Sequence, residues 1–163
     1  MTEIYYLLDN NALVSMTPAQ RSLALSHPRC RIPSEVVYEA RQSPDHSAIA
    51  DLAYPPNPSI LRALAEVMAA LAPGSHDVVD LYKNQGNADP IVITTALHAT
   101  RDSQTTLVEE RWEIVTEDGP VEELAKAFGV PTLGLADFVT TLAGCAGATP
   151  GPSQPQLPTN AGT

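Results

Sequence analysis

Four acidic residues stand where a chain of alternating strands and helices could bring them together. Asp9 follows the apolar run IYYLL (residues 4–8), and Asp118 follows WEIVT (residues 112–116). Asp89 precedes Pro90 at a helix start, and Glu39 lies inside a helix that begins near Ser34. In an open parallel sheet, sites form at the carboxyl ends of the strands and at the adjoining helix N-termini. Three or four carboxylates within a few ångströms cannot all stay ionised without a cation. Oxygen ligands from several elements, with no His or Cys spacing, suit Mg²⁺ or Mn²⁺ rather than zinc. A hard dication held this way orients water and offsets charge growing on a phosphodiester.

Each acid also has a plain structural role. Asp9 and Asp89 can cap helices, Asp118 can serve a turn, and Glu39 can be a solvated helix residue, with Glu35 one turn earlier competing for its place. Glu117 stands beside Asp118, so either could be the fourth acid. The order of the four along the chain carries the chemical reading.

The elements that must position them follow from pattern and punctuation. IYYLL reads as a buried strand ending at Asp9-Asn10-Asn11. Residues 11–26 have helical character that Pro18 breaks or restarts. A short strand at 31–33 and a helix over 34–42 follow, and YPPNP (54–58) is a loop. Asn57 caps a helix with Pro58 in its first position, ended by Pro73-Gly74. A short helix over 75–82 and a turn at NQGN (84–87) precede the Asp89 helix, which runs to about residue 100. Residues 112–116 form the next strand, and 121–128 a helix closed by Gly129. A strand at 130–133 and a helix near 135–142 complete the series. Such alternation predicts an α/β fold, a parallel sheet with helices on both faces.

The chain of 163 residues is one domain by size, over residues 1–143. Residues 144–163 carry no charge, four prolines and mostly small side chains, the composition of a disordered tail that adds little to stability. No apolar run approaches the ~20 residues that cross a bilayer. Met1-Thr2-Glu3 lacks the basic region of a signal peptide. Cys30 and Cys145, far apart, fit neither a disulfide framework nor zinc spacing. A soluble, cytoplasmic protein is expected. Nineteen acids against nine bases give a net charge of −10, which repels a phosphate backbone. Any nucleic-acid chemistry must therefore come from a local site where metal ions reverse the field.

Taken together, LLDNNAL (7–13), IPSEVVYEA (32–40), ADPIVITTALHA (88–99) and WEIVTEDGPVEELAKAFGVPTL (112–133) resemble the successive motifs of PIN-domain ribonucleases. The likeness spans residue 4 to about 140. It implies a PIN-like αβα sandwich and a metal-dependent endoribonuclease, often the toxin of a toxin–antitoxin pair and often a homodimer. Carried across, Asp9, Glu39 and Asp89 are the core Mg²⁺ or Mn²⁺ ligands and Asp118 the fourth acid, with Thr116 or Asn10 assisting through a side-chain oxygen. Glu39 is favoured over Glu35 because the motif places its glutamate late in the helix. Arg21, Arg41, Lys83 and Arg101 carry no pattern that marks an RNA surface, and each reads as a solvated charge. Asp77 and Asp80 rank below the four acids, and His98 reads as a packed or surface histidine. The rival reading is a PIN-like scaffold without catalysis that binds a protein partner. A phosphoryl-accepting aspartate domain fits less well, because Asn11 stands where a second aspartate is needed.

Overall fold

The structure is a computed structural model that describes residues 2–70, 89–104 and 108–146. Five strands form one all-parallel sheet: β1 (Glu3–Leu8), β2 (Cys30–Pro33), β3 (Ala53–Tyr54), β4 (Glu110–Val115) and β5 (Thr132–Leu133), in the order β3-β2-β1-β4-β5. Eight α-helices are found among the described residues. They are α1 (Asn10–Ser15), α2 (Pro18–Ser26), α3 (Ser34–Glu39), α4 (His46–Asp51), α5 (Pro58–Ala70), α6 (Asp89–Ser103), α7 (Gly119–Ala127) and α8 (Leu135–Ala146).

The strand order reverses at β1. The chain steps outward to β2 and β3, then returns across the sheet to β4 and β5. Right-handed crossovers in opposite directions put their helices on opposite faces, so the sheet is covered on both sides as expected. The aromatic residues of β1 show the two layers. Tyr5 stacks on its ladder partner Trp112 at 4.9 Å, whereas Tyr6 points the other way and meets Phe138 of α8 edge-on at 5.2 Å. Leu7, Leu8, Ile114 and Val115 are completely buried between the layers. Each such side chain contributes about 1.5–3 kcal/mol of burial.

Local chemistry sets the boundaries. Pro18 restarts the helix: Thr17 caps α2 through a capping box with Gln20, and the proline occupies the first turn. The Asn57 side chain accepts from Ser59 N and Ile60 N at 2.9 and 3.0 Å, the expected cap of α5. Gly129 closes α7 at φ 69°, a left-handed conformation that a side chain would strain. Cys30 is buried, which pushes its thiol up to about 12 and leaves it inert.

Three expectations shift. Strand β3 and helix α4 were not foreseen. Helix α8 runs to Ala146, so residues 144–146 belong to the domain rather than the tail. The rest of the tail, the helix expected over 75–82, the NQGN turn, Asp77, Asp80 and Lys83 lie outside the described residues. Arg21 is no solvated charge. It makes a two-point ion pair with Asp45 at 2.6 and 2.7 Å, and also donates to Leu13 O and Ser43 Oγ. This ties α2 to the segment entering α4.

The Arg21 hydrogen bonds hold the Asp45 carboxyl down at about 2. A depressed acid stabilises the fold above its ordinary value, and that contribution is lost as pH falls through the folded value. Arg21→Met is expected to lower the melting temperature at pH 7 by roughly 3–8 °C. The gap from the parent should narrow as pH drops from about 4 to about 2. Thermal melts across that range check this; a pH-independent gap would mean that the ion pair adds nothing to the packing.

Candidate active site

The site lies at the carboxyl edge of the sheet, where its winding reverses between β1 and β4. The two strands pair in register from Glu3↔Glu110 to Leu8↔Val115, so Asp9 and Thr116 emerge side by side. Asp9 N still donates to Val115 O at 3.2 Å, which extends the ladder one rung into the site. Asp9 is only 2% exposed. Its Oδ1 accepts from Asn10 N at 2.6 Å, capping α1, and its Oδ2 accepts from the Thr116 hydroxyl at 2.9 Å. Thr116 Oγ1 in turn accepts from Asp118 N at 3.1 Å. The Thr116 hydroxyl thus holds the Asp9 carboxylate and the Asp118 backbone N–H together.

Burial raises the Asp9 pKa most, and the neighbouring Asp118 carboxylate raises it further; the bonds from Thr116 and the backbone oppose this. Asp118 caps α7, its Oδ1 accepting from Val121 N at 3.3 Å. Asp9 does the capping work that the local sequence suggested, Asp118 caps a helix where a turn role was expected, and capping does not account for their nearness to each other. Glu117 is placed differently. Its carboxylate accepts from Leu135 N at the start of α8, while Asp118 is the acid whose charge acts on Asp9.

The other two acids lie on helices α3 and α6. The β1–β2 register, Tyr6↔Cys30 and Leu7↔Arg31, continues to set Pro33 beside Asp9. Helix α3 starts at the next residue and carries Glu39, half-buried and engaged in an interaction of its own, at its end. Glu35 lies one turn earlier, with Oε2 buried and without a hydrogen-bond partner among the described residues. Helix α6 has its last residue tied to the start of β4, Ser103 Oγ donating to Glu110 O at 3.0 Å. Its fifteen residues span about 22 Å, with Asp89 at the first position. The Asp89 side chain is outside the described residues. Among those described, no three acidic, His or Cys side chains are gathered closely enough to hold a metal ion. His98 is half-buried in α6, with Nδ1 buried and without a partner there.

Buried Asp9, its charge disfavoured by burial and by Asp118, fits a site that gains from a cation, and the donor set is all oxygen. The Asp9 carboxylate accepts from Asn10 N and from the Thr116 hydroxyl, and the Asn11 backbone N–H also favours its charged form. No helix among the described residues is long and apolar enough to cross a membrane. Compared with known proteins, the chain matches no family model and no curated protein sequence.

Proposed function

We propose that this protein is a metal-dependent endoribonuclease that hydrolyses RNA phosphodiesters at the carboxyl edge of its sheet. The observation that carries the reading is the buried Asp9, bonded to Thr116 and crowded by Asp118 at the point where the sheet reverses its winding. Ligands bind at that point in doubly wound folds. Asp9 and Asp118 would hold Mg²⁺ or Mn²⁺, with Glu39 and Asp89 completing the set, as the PIN resemblance implies. Bound there, the ion would supply Lewis acidity toward a phosphoryl oxygen and water. Thr116 fixes the Asp9 carboxylate, and the capping bonds of Asp9 and Asp118 limit their rotation, so the donors are preorganised. Water attacks phosphorus, the bond to the 3′ oxygen breaks, and a proton passes to that oxygen.

The products should carry 5′-phosphate and 3′-hydroxyl ends. Purified protein incubated with a mixed RNA pool and Mg²⁺ or Mn²⁺, followed by end-group analysis, checks this. Ends bearing 2′,3′-cyclic phosphate would mean attack by the ribose hydroxyl and would overturn the mechanism. A toxin role with a protein antitoxin, a homodimer and a cytoplasmic location belong to the same proposal. The second reading, a PIN-like scaffold that binds a protein, draws on the net charge of −10. Absence of any cleavage with either metal would favour it.

A further inference from the structure

Tyr38 is a large aromatic residue left 67% exposed, on the helix that carries Glu39. The Arg41 guanidinium lies over its ring at 4.3 Å, and Arg41 Nη1 donates to Tyr38 O at 3.0 Å, which fixes the pair. The aromatics of the sheet are more enclosed: Tyr6 and Trp112 are buried, and Tyr5 and Tyr54 are partly buried against the core. An exposed ring with a planar cation held over it has the chemistry of a stacking surface for flat π systems.

Its location follows from register. Continuing the β1–β2 register sets Pro33 beside Asp9, about 4.8 Å away, and five residues of helix add about 7.5 Å to reach Tyr38. The Tyr38 backbone is therefore on the order of 12 Å from that of Asp9. A single-stranded RNA chain with one phosphate at Asp9 would bring a base one or two nucleotides away to this distance.

We propose that Tyr38 and Arg41 form a platform on which a nucleobase of single-stranded RNA stacks, setting the position of the scissile phosphate. Stacking on a π face is tolerant of base identity, and the guanidinium adds local positive charge in an otherwise acidic protein. Tyr38 is a positioning residue: it holds substrate away from the reacting atoms. The inference rests on the nuclease reading for its substrate, and its test separates the two.

In cleavage assays, Tyr38→Ala should raise KM roughly five- to hundredfold and leave kcat nearly unchanged. Tyr38→Phe and Tyr38→Trp should retain the parent KM, and all three should melt like the parent. Tyr38→Trp provides a readout independent of cleavage. In EDTA, a single-stranded oligoribonucleotide should quench its exposed indole, while a duplex of the same sequence should not. Cleavage by the parent with an unchanged KM in Tyr38→Ala overturns the platform and leaves the nuclease standing. Quenching without cleavage by the parent supports the platform and removes the proposed activity. No quenching at saturating oligonucleotide overturns the platform whether or not the parent cleaves.

Discussion

Replacing Asp9 with asparagine is expected to abolish RNA cleavage and to raise the melting temperature of the metal-free protein. The amide keeps the local geometry: its oxygen can still accept from Asn10 N, and its nitrogen can donate to Thr116 Oγ1. What it loses is the charge, and with it the central metal ligand. A loss of at least ~1,000-fold in rate corresponds to about 4 kcal/mol of transition-state stabilisation. The stability gain has the opposite origin. Burial first, and Asp118 second, raise the Asp9 pKa, so ionising it costs the fold. That cost is absent below the ordinary carboxylate value, grows as pH rises, and is complete above the folded value. The melting-temperature advantage of Asp9→Asn should therefore vanish in acid and stand at a few degrees at neutral pH. A variant that cleaves at the parental rate, or that is less stable at neutral pH, contradicts this account of Asp9.

The second large effect belongs to Asp89. Asparagine starts a helix about as well as aspartate, within a few tenths of a kcal/mol, so Asp89→Asn preserves any capping role. If Asp89 completes the metal site, the parent should gain roughly 2.7 kcal/mol from Mn²⁺ at a hundredfold excess over its dissociation constant. The variant should lose most of that gain, along with its activity. Melts of both proteins in EDTA and in a Mn²⁺ series read the difference. An equal metal-induced shift in the two proteins, or none in either, removes Asp89 from the site.

Much of the fold was legible because its signals are local. IYYLL and WEIVT are short, branched and aromatic runs that stop at polar residues, and each became a strand of the central pair. Pro18 marked a break or restart and Asn57-Pro58 a capped helix start, and both starts are present. Where structure is made by tertiary contact, the sequence was silent. Strand β3 is only Ala53-Tyr54, defined by pairing with Ile32 and Pro33 rather than by any run of its own. Helix α4 lacks its usual mark because Asp45, at its N-cap, makes no capping bond. Its carboxylate is taken by Arg21, 24 residues earlier in the chain.

The site divides in the same way. The order of Asp9, Glu39, Asp89 and Asp118 was readable, since each adjoins an element boundary or a motif. The bond between Thr116 and Asp9 was not readable from local pattern, because it depends on the register of two strands whose residues are 107 positions apart. The bond from Leu135 N to the Glu117 carboxylate was equally hidden, since it depends on where α8 starts, 18 residues later. The Tyr38–Arg41 pair has the i, i+3 spacing of helix neighbours, but only its exposure separates it from an ordinary surface contact.

The most direct measurement is cleavage of an end-labelled single-stranded RNA by the parent protein, first stripped with EDTA and then given Mn²⁺ in graded amounts. The account predicts no cleavage in EDTA and a saturable return with Mn²⁺, in the parent but not in Asp9→Asn prepared alongside it. Equal cleavage with and without EDTA, or the same Mn²⁺ dependence in both proteins, would contradict a metal-loaded carboxylate site centred on Asp9.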